Sequence, residues 1–142
     1  MPGHRIYKSL INAVKRGVEV NVCIPQHSDV KVADVVRDAF LEQLYKHGVN
    51  IYLYPKGNLH SKLMLIDDNV FAIGSANMDT RSLEHHFEVT SILYNRHCAE
   101  IIETQFHHDL KRCHLLSAKK WKKRPKYFRF FESLARLLSP LL

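Results

Sequence analysis

Twice in succession a helix-spaced set of apolar residues ends on a cation and a Gly-Val pair, enters a short apolar stretch and stops at proline. The first copy passes through Arg16, Gly17 and Val18 to Pro25, the second through Lys46, Gly48 and Val49 to Pro55. Glycine just past the last turn is the usual left-handed stop of a helix, and a cation in that turn offsets the negative end of the helix dipole. In the first copy Leu10, Ile11 and Val14 carry the helical spacing within residues 7–14, and residues 18–25 (VEVNVCIP) alternate before running apolar. In the second, residues 28–46 place Val32, Val35, Val36, Ala39, Phe40 and Leu44 on one side, and residues 48–55 (GVNIYLYP) form the strand. Strands separated by helices pair in parallel through crossovers, so the repeat predicts an α/β sheet rather than a run of hairpins.

The pattern then changes. Residues 60–66 and 70–74 are apolar strands joined by Asp67-Asp68-Asn69, a turn-forming cluster that predicts a hairpin. Residues 87–94 (FEVTSILY) form a fifth strand, and Ile101, Ile102, Phe106 and Leu110 give residues 97–115 a helical spacing. From residue 117 the texture becomes basic and aromatic, ending in a short amphipathic helix over residues 130–138 stopped by Ser139-Pro140. The chain thus divides into a domain over residues 1–116 and a tail over residues 117–142.

A chain of 142 residues buries one core rather than two. Its formal net charge of +7, before any of the 10 histidines protonate, favours anionic partners: nucleic acid, anionic lipid head groups or a phosphate substrate. Cys23, Cys98 and Cys113 are odd in number and lack a C-x-x-C pair, which points to buried or idle thiols rather than a disulfide framework or a zinc knuckle. No stretch reaches the roughly 18 apolar residues of a membrane-spanning helix, and the first residues lack the apolar run of a secretory signal.

The chemistry concentrates between residues 60 and 88. On a strand beginning at Leu59, His60 and Lys62 project from one face, so both reach one ligand. Lysine neutralises phosphoryl oxygens while histidine attacks phosphorus or protonates the leaving oxygen. Gly74-Ser75-Ala76-Asn77 follows the next strand, where glycine permits close backbone approach and the serine hydroxyl and asparagine amide add donors. By contrast, His85-His86 and His107-His108 are adjacent pairs whose rings diverge, with no ligand set to complete a metal site. Asp79 and Arg81 read either as a head-group contact or as a turn held by an Asp/Arg pair.

The run HSKLMLIDDNVFAIGSAN resembles the H-x-K-x4-D-x6-G-S-x-N signature of the phospholipase D superfamily, with every defining position filled. The resemblance implies a phospholipase D-like sandwich, with a mixed, mostly parallel sheet flanked by helices and here a basic helical tail, and no metal or cofactor. It implies that His60 is nucleophile or general acid, that Lys62, Ser75 and Asn77 bind phosphate, and that Glu88 orients His60. Asp67, also a signature position, falls in the turn and reads as structural.

Residues 13–25 (AVKRGVEVNVCIP), 48–62 (GVNIYLYPKGNLHSK), 75–88 (SANMDTRSLEHHFE) and the ending RLLSPLL are similar to the last third of bacterial-type cardiolipin synthases. Those enzymes transfer a phosphatidyl group between phosphatidylglycerol molecules at the cytoplasmic face of the bacterial inner membrane. They also carry amino-terminal membrane helices and a first H-x-K-x4-D motif, neither of which is in this sequence. One motif makes half a site. The expectation is therefore a carboxy-terminal part of such an enzyme; the alternatives are a homodimeric single-motif phosphodiesterase or nuclease, or a silent phosphate-binding fragment.

The tail bears on the partner. Lys119, Lys120, Lys122, Lys123, Arg124, Lys126 and Arg129 surround Trp121, Tyr127 and Phe128. Each cation near an anionic leaflet contributes about 1 kcal/mol, and aromatics settle at head-group level, so the tail reads as a membrane-surface contact, with a solvated tail or a nucleic-acid contact as the alternatives.

Overall fold

The computed structural model describes residues 4–27, 31–55 and 59–117. In order, the elements are α1 (His4–Lys15), β1 (Asn21–Pro25), α2 (Lys31–Lys46), β2 (Asn50–Tyr54), β3 (Leu63–Ile66), β4 (Val70–Gly74), α3 (Thr80–Glu84), β5 (Thr90–Tyr94), α4 (Arg96–Arg112) and β6 (His114–Leu115). The expected tail segment of residues 119–129 and the helix over residues 130–138 lie outside the described residues.

The repeated unit has one physical basis. Gly17 and Gly48 sit at φ +88° and +89°. Around each, two backbone bonds close the preceding helix: Gly17 N–H to Val14 C=O (2.9 Å) with Val18 N–H to Ala13 C=O (3.1 Å), and Gly48 N–H to Tyr45 C=O (3.0 Å) with Val49 N–H to Leu44 C=O (3.1 Å). This doubly bonded closure turns the chain straight into the following strand. The two sites differ in space: a Cβ on Gly17 meets nothing, whereas one on Gly48 falls 3.1 Å from Val14 Cγ1. Gly17→Ala is expected to lower unfolding free energy by about 1 kcal/mol through left-handed strain alone, and Gly48→Ala by more, as read from paired urea titrations.

β1 and β2 pair in parallel from Asn21↔Asn50 to Pro25↔Tyr54, as the crossover reading predicts. Val22, Ile24, Ile51 and Leu53 share one face, which joins Ile11, Leu41, Leu44, Val49 and Leu116 in the core. α2 contributes Ala39, Leu41 and Leu44 as buried residues, and Phe40 meets Tyr7 of α1 edge-on at 6.1 Å. The opposite face of the same strands carries Cys23, Tyr52 and Tyr54. It meets the end of α4, where Arg112 lies over the Tyr54 ring at 5.3 Å.

Two expectations need correction. The helix expected over residues 97–115 ends at Arg112; Cys113 is extended (φ −85°, ψ 159°), and β6 pairs antiparallel to β2 through Tyr52↔Leu115 and Leu53↔His114. Pairing with β2, continued by Leu116 N–H to Ile51 C=O at 2.8 Å, overrides the local helical spacing. The α/β class and mixed pairing are as expected, but the parallel share is smaller than "mostly". Among the described ladders only β1–β2 is parallel, and the strands form two three-stranded sheets ordered β1-β2-β6 and β3-β4-β5.

The sequence leaves the cysteines as buried or idle thiols. All three are free; Cys98 is exposed, while Cys23 and Cys113 are half-buried with their sulfurs 3.5 Å apart. Burial, and next the Cys113 thiol, pushes the Cys23 thiol up to about 12. At pH 8 a thiol of that kind is ionised at about one part in 10^4, so iodoacetamide is expected to label Cys98 first and Cys23 last. Mass mapping of alkylated peptides reads the order, and urea should abolish the difference.

Candidate active site

The second sheet positions the signature. β3 and β4 form the predicted hairpin, with Leu63↔Ile73 to Ile66↔Val70 as partners. Its turn is residues 67–69, and Asp67 adopts φ +51°, the left-handed region that aspartate tolerates better than most residues. The turn is tied to α4 by Asn95 N–H to Asn69 C=O (3.0 Å) and by Arg96 to Asp68 (3.6 Å). Asn95 also caps α4, accepting Cys98 N–H at 2.9 Å. Asp67 is thus remote along the strand from His60.

The catalytic candidates gather at the other end. The strand expected from Leu59 begins at Leu63, but Gly74 N–H to Lys62 C=O (3.2 Å) extends the ladder by one residue. Lys62 is half-buried, and its Nζ donates to the His60 carbonyl at 2.8 Å, setting the ammonium beside the exposed histidine. On the other side Gly74 pairs with Thr90, and Ser75 N–H donates to Val89 C=O at 2.9 Å. His60 lies two residues before Lys62 and Glu88 is the neighbour of Val89, so both stand at this same end of the sheet, on the two sides of β4. No hydrogen bond joins them among the described residues.

Gly74 has a sharper role than access to a ligand. A Cβ there would lie 2.6 Å from Thr90 Cα and nearly as close to the Thr90 hydroxyl, so the glycine is required by the backbone of β5. Ser75, expected to bind phosphate, spends its hydroxyl proton on Glu88 Oε2 and accepts Val89 N–H at 3.0 Å. Asn77 is exposed in the segment after β4. Asp79 does not pair with Arg81; it caps α3 by accepting Ser82 N–H at 2.8 Å, and Ser82 is buried. His85 and His86 are exposed, and His107 and His108 lie beside Glu103 and Asp109 on α4.

The structure therefore brings His60, Lys62, Ser75 and Glu88 to one sheet end, with Asn77 close by in sequence, and sets Asp67 at the opposite end of the hairpin. The Ser75–Glu88 bond escaped sequence reasoning. Its only signal was the strand register, which depends on where β5 begins.

Over residues 1–110 the chain matches the family described as "Cardiolipin synthase, PLD-like domain". The chain belongs to this family. Cardiolipin synthase 1 of Staphylococcus epidermidis is 42% identical over 139 residues, covering 95% of this chain and 28% of the relative. The cardiolipin synthase of Clostridium perfringens strain SM101 is 36% identical over 142 residues, all of this chain and 30% of the relative. The chain thus spans less than a third of the length of these relatives. Its fold is similar to that of Nuc, a phospholipase D family member from Salmonella typhimurium, with a TM-score of 0.72 and 18% identity over 83% of this chain and 77% of that one. In this cardiolipin synthase-type domain every signature position, and Glu88, falls inside the family match. No helix among the described residues is long and apolar enough to cross a membrane.

Proposed function

We propose that this domain supplies one half of an active site that transfers a phosphatidyl group between two phosphatidylglycerol molecules, giving cardiolipin and glycerol. The observation that carries the reading is the gathering of His60, Lys62 and Glu88 at the ends of paired strands in a cardiolipin synthase-type domain. A histidine from a second H-x-K-x4-D motif attacks phosphorus, forming a P–N bond as the P–O bond to glycerol breaks. His60 gives its proton to the departing glycerol oxygen. The hydroxyl of the second phosphatidylglycerol then loses its proton to His60 and attacks phosphorus, and the P–N bond breaks. Lys62 and Asn77 hold the phosphoryl oxygens, and Glu88 fixes the imidazole tautomer. Asp67 contributes by holding its turn.

Exposure supports a second body at this sheet. Phe87, Val89, Ile92 and Tyr94 are exposed in and beside β5, next to Glu88. On this reading the second motif lies in the remainder of a longer enzyme of this family. The cations and aromatics of residues 119–129 support work at an anionic leaflet, on the cytoplasmic face of a bacterial inner membrane. The test is glycerol release from phosphatidylglycerol vesicles by this chain together with the remaining segment of a relative, with supercoiled plasmid as competing substrate. Glycerol release supports the lipid reading; plasmid nicking without it favours the nuclease alternative, and inertness toward both favours silent binding.

A further inference from the structure

We infer that Ser75 is a positioning residue that holds the Glu88 carboxylate for His60, rather than a phosphate ligand. The inference rests on the proposed site and deepens it. A serine hydroxyl has one proton to donate. Here that proton goes to Glu88 Oε2, while the oxygen accepts Val89 N–H at 3.0 Å. Val89 C=O, the other acceptor near the hydroxyl, lies 3.4 Å away and already receives Ser75 N–H at 2.9 Å. Donating to phosphate would mean breaking the bond to Glu88.

The backbone explains why a hydroxyl is needed here. Opposed residues in an antiparallel ladder alternate between pairs that exchange both N–H···O=C bonds and pairs that exchange none. Ser75 and Val89 make one such bond through the backbone, but Val89 N–H turns to the Ser75 side chain instead of its carbonyl. The side chain thus closes the ladder where the main chain leaves it toward Asn77. The residue so anchored, Val89, is the immediate neighbour of Glu88. The hydroxyl therefore fixes Glu88 twice, through its backbone neighbour and through Oε2. Oε1 has no hydrogen bond to a described residue, and the carboxylate stands at the sheet end that also carries His60, on the other side of β4.

Threonine preserves the hydroxyl and alanine removes it, so the two substitutions separate positioning from phosphate binding. The probes are inorganic phosphate binding by calorimetry and the side-chain carboxyl carbon signal of Glu88 by NMR at fixed pH. Ser75→Ala is expected to shift the Glu88 signal and leave phosphate affinity within about twofold of wild type, and Ser75→Thr to restore the signal. Lys62→Ala is expected to weaken phosphate binding at least about tenfold, the scale of a lost charge-assisted contact. A Ser75→Ala loss as large as that of Lys62→Ala, with an unmoved Glu88 signal, would overturn the inference. Phosphate binding that ignores Lys62→Ala would instead sink the proposed pocket, while the Glu88 signal would still decide the role of Ser75.

Discussion

His60→Ala is expected to abolish phosphatidyl transfer by the assembled enzyme, lowering kcat by at least about 10^3-fold, within the range that a positioned acid–base group supplies. The loss should fall on kcat with little change in KM, because the imidazole acts on developing charge rather than on the resting lipid. His60 is exposed, so its truncation leaves the core of Ile11, Leu41, Leu44, Val49, Ile51 and Leu116 untouched. Unfolding by urea should therefore match wild type, which separates a chemical defect from a folding one. Asp67→Ala should behave in the opposite way. Its left-handed φ of +51° holds the hairpin turn, so the variant should lose stability in step with activity.

Gly74→Ala is expected to be the most damaging small substitution in the sheet. The new methyl carbon would stand 2.6 Å from Thr90 Cα and sits against backbone, which has no rotamer by which to yield. β5 must separate from β4 at this point, at a cost of about 3 kcal/mol, the upper range for overpacking. In a domain of this size that is roughly a 10 °C fall in Tm by calorimetry. The damage also reaches the site, because the displaced segment carries the Ser75–Val89 bonds and with them Glu88. Gly74→Ala should then lower both Tm and kcat, whereas His60→Ala lowers kcat alone.

The parts of the fold legible in the sequence were those governed by local rules. The Gly17 and Gly48 stops, the parallel β1–β2 pair and the hairpin at residues 67–69 all follow from turn chemistry and apolar spacing. β6 was hidden because two residues that continue a helical pattern are claimed by an open edge of β2, a contact made far away in sequence. The hairpin that carries the signature was legible because its turn cluster and strands are short and strict, and it sets Lys62 against Gly74, next to Ser75. What spacing could not tell was the destination of each hydroxyl and carboxylate. Ser75 offers the same chemistry to a phosphate or to Glu88, and the register of β4 against β5 decides which is nearer. Asp79 likewise reads equally as a head-group contact or an Arg81 partner until the start of α3 gives it a backbone N–H to cap.

The central claim is that this domain is half of a two-histidine site. The most direct measurement mixes it with a separately purified segment of a cardiolipin synthase relative carrying the first H-x-K-x4-D motif, and follows glycerol release from phosphatidylglycerol vesicles. Release is predicted only when both parts are present, and its loss when either motif histidine is replaced by alanine. Undiminished release with His60→Ala in the mixture would contradict it.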